Sequence, residues 1–442
     1  MAFSFLPLSP KRLFLVLLTL SLIFIVYTNY GLLDPLFSYV APSSRTNHAV
    51  TTPTPRPNAG PLPNDLPGEQ NTRVLLVSAF FPLDGTTYTF QEYKPRLELF
   101  LSRITTDVYF FTTPEYEPII RKIRGDMPIA INTTFATPFD IPPLQNRRRD
   151  YQRMQSLDRE TGNRSIDFYA YMNAKPYFLY EGLEIARRKR KPGIGQGYRW
   201  AFWVDPGTFK EEHSYRRWPD PNRLDVVWDE GMVETSIGAK DIFFIPLLGL
   251  PNPSMSMWNE ALGPIQRPII TDTSFYGGSP EIIAWWYHIY YAYHDYWLRK
   301  AGFVGSDKGV VNGLSILFSF RIVGVWLEDP LAPAARTILA SEGFKSRYNK
   351  ANRPPRYLLD TPLGQCLDHS GYHVYFLASY DERKDMVDMW LQKSQHLWPW
   401  QWIKQIGVPK IPCTLTRVVG LESLFRQRAF GKGWDIPRAS QG

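Results

Sequence analysis

The run from Leu13 to Leu33, LFLVLLTLSLIFIVYTNYGLL, contains no charged residue. At 1.5 Å per residue, about twenty such residues cross a bilayer as a helix. Lys11 and Arg12 precede the run and Asp34 follows it. The positive-inside rule therefore keeps residues 1–12 in the cytoplasm and sends everything after the span across the membrane. A cleaved signal peptide is the rival reading, but no small-x-small cleavage site follows the run. Residues 34–72, Pro/Thr/Ser/Asn/Gly-rich from Ala41 onward, bury too little apolar surface to offset their ordering entropy and read as an extended stalk. The expected layout is a single-pass type II membrane protein of the Golgi or endoplasmic reticulum, with a lumenal C-terminal globule. Sequons at Asn132 and Asn163 agree with that address, whereas Pro253 excludes Asn252. The two cysteines, Cys366 and Cys413, either pair in an oxidising lumen or stay as buried thiols. Nucleic acid is not an expected partner: the net charge of +8 and the clusters at Arg147–Arg149 and Arg187–Lys191 lie beyond the anchor. Those clusters read as solvated surface or as contacts to an acidic glycan or phospholipid.

The chain has 14 Trp, 25 Tyr and 27 Phe, most of them after residue 72, ample apolar area for a large core. RVLLVSAFFP (Arg73–Pro82) reads as a buried strand, FQEYKPRLELFLSRI as a helix and DVYFFTT (Asp107–Thr113) as a second strand, which together predict a parallel βαβ unit. Residues 114–165 read as a surface excursion. A helix from Ile166 is expected to break near Pro176. Asp225–Trp228 and Asp241–Leu248 read as strands, Pro280–Phe303 as a helix, and Ser306 as the cap of another helix. Strands alternating with helices argue for an α/β fold. GIGQG before Tyr198 precedes a strand instead of following one, so it is not a dinucleotide fingerprint.

The stretch RWAFWVDPGTF (Arg199–Phe209) ends an apolar strand on Asp205, then Pro206 and Gly207. One reading is an Asp-Pro-Gly turn and nothing more. The other places a carboxylate at the carboxyl end of a sheet strand, where open α/β sheets bind ligands and where it can hold a hard cation on a diphosphate. Gly207 would then admit the ligand to the backbone. His369 and His373, four apart in DHSGYH, are candidate cation ligands, and the aromatic stretch His396–Gln405 is a candidate for core packing, sugar stacking or the bilayer surface.

The segment YMNAKPYFLYEGLEIARRKRKPGIGQGYRWAFWVDPG, followed by FYGGSPEIIAWWYHIYYAYHDYWLRKAGFVGSDKGVVNGL, resembles the HtrL/YibB-like family in motif order and spacing across Arg73 to about Leu317. The resemblance implies a GT-A-like (Rossmann-like) mixed, mostly parallel sheet flanked by helices over residues 73–330, with 331–442 as an extension packed on the same domain. It implies a glycosyltransferase that moves a sugar from a nucleotide-sugar donor to a glycan acceptor. Lys175, Gly277, Gly278 and Asn312 fall on donor-binding positions, Asp205 on the strand-end acid that would hold Mn²⁺ or Mg²⁺, and Asp307 on a catalytic carboxylate that orients the sugar or deprotonates the acceptor hydroxyl; His369, beyond the resemblance, is the candidate second ligand of that cation. The single acid at 205, Pro206 after it and Lys308 depart from the family pattern, which keeps a catalytically inactive binding or scaffolding protein as the alternative.

Overall fold

The structure, a computed structural model, describes residues 74–83, 90–158, 164–188, 197–340, 360–361, 363–366, 371–393 and 412–441. The run 13–33, the stalk, His369, Asn163 and residues 396–405 lie outside them; among the described residues no helix is long and apolar enough to cross a membrane.

The first half is built from β1 (Val74–Phe80), α1 (Phe90–Arg103), β2 (Asp107–Thr112), α2 (Glu117–Arg124), β3 (Ile129–Asn132), α3 (Arg148–Gln155), α4 (Ile166–Arg188) and β4 (Trp200–Val204). Then follow α5 (Pro221–Thr235), β5 (Phe243–Phe244), β6 (Phe275–Gly278), α6 (Pro280–Arg299), α7 (Asp307–Leu317), β7 (Ile322–Val325) and α8 (Pro333–Ala340). The last elements are β8 (Asp360–Thr361), β9 (Gly364–Gln365), α9 (Tyr372–Phe376), α10 (Tyr380–Lys393), β10 (Val418–Gly420) and α11 (Leu421–Arg428).

Eight strands form one sheet in the order β10-β7-β5-β6-β4-β1-β2-β3, and β8 pairs with β9 as a separate ribbon. β3, β2, β1 and β4 are mutually parallel, as are β5 and β7; β6 runs antiparallel between β4 and β5, and β10 antiparallel beside β7. Strand alternation sends Leu75, Val77 and Ala79 to one core and Val74 and Leu76 to the other. The first core includes buried side chains of α4, α6 and α7, the second those of α1 and α5. Both faces of the sheet are therefore covered, as the continuous apolar strands require. The result is a mixed α/β sheet with helices packed on both faces.

Several local expectations change. Asp225–Trp228 belongs to a helix: Asp220 caps it by accepting the Arg223 amide, Pro221 occupies the first turn, and Leu224, Val227, Trp228 and Gly231 fall on one buried face at helical spacing. β5 keeps only Phe243–Phe244 of the longer strand expected. Residues 114–165 contribute α2, α3 and β3, and β3 extends the sheet beside β2. α4 runs through Pro176. Just before that proline, the Tyr291 hydroxyl donates to the Asn173 carbonyl at 2.6 Å, a bond from outside the helix in the turn a proline ring disturbs. Ser306 sits at the start of α7 without a side-chain cap bond, whereas Ser279 caps α6 through the Ile282 amide. Cys366 and Cys413 are joined as a disulfide.

Candidate functional site

β4 ends where β6 begins: Val204 pairs with Phe275, and the Asp205 amide donates to the Ser274 carbonyl at 2.7 Å. The Asp205 carbonyl accepts the Thr208 amide at 2.9 Å, so the backbone does make the Asp-Pro-Gly turn. The carboxylate remains available for other work. It meets Lys175, which α4 brings across the sheet end: the ammonium lies 3.1 Å from Asp205 Oδ2, 2.9 Å from Asp307 Oδ2 and 3.5 Å from the Thr273 carbonyl. Two aspartates a hundred residues apart in sequence therefore share one lysine.

Exposure separates their roles. The Lys175 side chain is 2% exposed and that of Asp307 4%, while Asp205 keeps 23%. Three protein oxygens, two of them carboxylate, lie within 3.5 Å of this ammonium. Lys175, expected to bind the donor, lies buried beneath the acid pair. Asp307 Oδ1 accepts the Lys308 amide at 2.8 Å and Oδ2 lies 2.9 Å from the Lys175 ammonium, so the carboxylate expected to orient the sugar or take the acceptor proton is enclosed by protein groups. Asp205 is the carboxylate that reaches the surface. Burial, opposed by Lys175 and reinforced by Asp307 and Asp272, pushes its pKa up to about 6. Burial alone would lower the Lys175 pKa, but the two aspartates outweigh it and hold the ammonium charged.

Asp272 is a group that sequence reasoning missed. It lies on the segment entering β6, is 6% exposed, and has Oδ2 without a hydrogen-bond partner. His373 on α9 is 1% exposed, with both ring nitrogens unpartnered and its ring stacked on Phe275 at 5.0 Å. Burial, partly offset by Asp272, lowers its pKa to about 4, so the ring is neutral at physiological pH. Tyr171 and Tyr276 complete the surroundings: burial first, then Asp205 for Tyr171 and Asp307 for Tyr276, raise both hydroxyls well above the usual range. No sequence signal marked Asp272, because its neighbours TDTSF form no motif; only the pairing of β4 with β6 brings it to Asp205.

The remaining expected residues find structural reasons instead. A Cβ on Gly277 would sit 2.1 Å from the Ala201 carbonyl, and one on Gly278 would sit 2.9 Å from the Ile242 carbonyl. These glycines let β6 lie between β4 and β5, and they pair with Phe202 and Ala201, further down β4 than Val204. Asn312 is fully buried: its amide nitrogen donates to the Ile265 and Pro268 carbonyls and its oxygen accepts from Ile270 and Thr271, so it fastens the 265–271 segment to α7. Gly207 is explained by Tyr93, whose hydroxyl would lie 2.6 Å from an added Cβ. The Asn132 amide is engaged by Tyr109 and Thr134. Among the described residues, no three Asp, Glu, His or Cys side chains gather into a complete metal cage.

No known family profile matches the chain, so its resemblance to the HtrL/YibB-like sequences gains no support beyond the motif order. No curated protein sequence matches it either. Solved structures that resemble it include apo mouse xyloside xylosyltransferase 1, at 9% identity and TM-score 0.33 over 56% of this chain and 83% of that one. Core-mannan synthase A from Aspergillus fumigatus in its Mn/GDP form gives 11% and 0.33 over 63% and 81%, and the mannosyltransferase Ktr4p from S. cerevisiae 12% and 0.32 over 55% and 65%. At such values the site stands on its own geometry.

Proposed function

We propose that this chain is a glycosyltransferase that takes a sugar from a nucleotide-sugar donor to a glycan acceptor, in the lumen of the secretory pathway and tethered by residues 13–33. The observation that carries the reading is Asp205, its side chain 23% exposed at the carboxyl end of β4, paired with a buried lysine that also pairs with Asp307. Open α/β sheets place ligands outside the carboxyl ends of their strands, and a fixed carboxylate there can orient sugar hydroxyls. Lys175 and Asp307 do their part beneath the surface by fixing the direction of that carboxylate. The Cys366–Cys413 disulfide is consistent with an oxidising compartment.

Two carboxylates, Asp205 and Asp307, face the Lys175 ammonium, Asp272 adds its charge beside Asp205, and Asp272 Oδ2 and both His373 nitrogens have no hydrogen-bond partner. A Mn²⁺ or Mg²⁺ ion would meet Asp205 together with the diphosphate oxygens and would offset the charge of a departing nucleoside diphosphate; among the described residues no three Asp, Glu, His or Cys side chains form a group that could hold such an ion alone.

The test is release of nucleoside diphosphate from a panel of nucleotide-sugars, with and without glycan acceptors, by the purified chain in Mn²⁺. Asp205→Asn should lower kcat at least ~100-fold, the scale of losing an electrostatic group that acts on the reacting centre. Turnover unchanged in Asp205→Asn would remove the proposal, and nucleotide binding without turnover of any donor would leave a binding protein in its place.

A further inference from the structure

A second feature lies behind the loop that carries Asp307. A cavity of about 380 Å³ is lined by Arg147, Asp150, Arg153, Met154, Leu298 and Arg299, with Gly302 in its wall. Three guanidinium groups share two carboxylates, Asp150 and Asp295. Asp150 pairs with Arg153 and lies 3.6 Å from Arg147, while the Arg299 guanidinium feels the charge of Asp295 but makes no side-chain ion pair or hydrogen bond among the described residues. Arg147 is fixed by a chain that runs into the core: its guanidinium lies 2.6 Å from Asp295 Oδ2, Asp295 Oδ1 is 3.0 Å from His294 Nδ1, and His294 Nε2 is 2.8 Å from the Tyr151 hydroxyl. His294 and Tyr151 are fully buried. A guanidinium anchored this way loses little freedom when it takes a ligand.

The cavity is also tied to the acid pair. Val304, two residues beyond Gly302, donates its amide to Met154 Sδ at 3.2 Å and accepts Asn173 Nδ2 at 2.8 Å, and Asp307 follows three residues later. One short segment thus separates the arginine cavity from the carboxylates.

We propose that this cavity is an acceptor subsite for a phosphate or sulfate ester carried on a glycan, the ester oxygens taken by Arg299, Arg153 and Arg147 and the apolar stem resting on Met154 and Leu298. Planar guanidinium forks match tetrahedral oxyanions, and the aliphatic wall suits the carbon skeleton that bears the ester. The identification of the ligand as an acceptor rests on the transferase reading; the anion site itself does not.

The experiment titrates inorganic phosphate and inorganic sulfate into the full chain by calorimetry, at ionic strength held constant with chloride so that screening is not mistaken for binding. Saturable binding is expected, weakened at least ~10-fold by Arg299→Ala and by Arg153→Ala, each charge-assisted bond being of that order. Both arginines are exposed, so matched melting curves should show that the variants fold. Binding that persists in Asp205→Asn separates this site from the acid pair and survives even if no transferase activity is found. Absence of saturable binding, binding indifferent to both arginine variants, or binding lost in Asp205→Asn would overturn the proposal. Arginine-dependent sedimentation with phosphatidylserine vesicles and no response to the inorganic anions would overturn it in favour of a membrane surface.

Discussion

Lys175→Met asks the structure its sharpest question. The substitution keeps most of the side-chain volume but leaves Asp205 and Asp307 facing each other at a nearly closed site, where the lysine had been 3.1 and 2.9 Å away. Removing one partner of a buried ion pair costs about 3–5 kcal/mol, because the other charge stays desolvated. At about 2.1 cal/mol/K per residue and on the order of 300 ordered residues, that loss lowers Tm by about 5–8 °C. The sign of its pH dependence follows: the Asp205 carboxyl already titrates above its ordinary value, Lys175 opposes that rise, and losing the lysine raises the folded pKa further above the unfolded one, so the variant's deficit grows as pH rises and shrinks toward pH 5. The triple variant Lys175→Met, Asp205→Asn, Asp307→Asn removes all three charges of the clamp, leaving Asp272 beside it, and should recover at least half of the loss. Circular-dichroism melts in EDTA at several pH values read all of this. A Lys175→Met variant within about 1 kcal/mol of the parent, or a triple variant no more stable than the single one, would refute the clamp.

Gly277→Ala should destabilise at or above the upper end of about 1–3 kcal/mol, since its Cβ would lie 2.1 Å from the Ala201 carbonyl. Gly433→Ala, with open space around it, should move stability by less than about 0.5 kcal/mol in the same urea titration. Asn312→Ala should cost about 3 kcal/mol and raise amide exchange in residues 265–271, the segment its side chain holds; exchange unchanged there would argue against that role. Burial lowers the His213 pKa from 6.5 to about 4, so between those values the unfolded chain binds the extra proton and stability falls as pH drops, by about 3 kcal/mol in all. His213→Phe, placed against Phe209 and Tyr215, should flatten that part of the pH profile.

Local pattern was enough for β1, β2 and the α1 between them, because continuous apolar runs and helical spacing are short-range signals. It also drew attention to Asp205, whereas only the resemblance in motif order marks Lys175 and Asp307. It misassigned Asp225–Trp228, where Val-Val-Trp imitates a strand while the Asp220 cap and Pro221 dictate a helix. It gave Gly277 and Gly278 to a ligand, although what requires glycine is the backbone of the adjacent strands, contacts that no single segment displays.

What the chain determines by itself is which stretches bury and with what period, and hence a layered α/β arrangement with an acid at one strand's end. What the tertiary structure decided is the division of labour among its charges: that Lys175 faces inward among protein oxygens, that Asp307 is sealed while Asp205 stays open, and that Asp272 and His373 arrive beside them. The reason is physical. Periodicity is set by neighbours a few residues away, whereas solvation and pairing of a charge depend on groups that only the antiparallel β6 and the packing of α4 and α7 bring within a few ångströms.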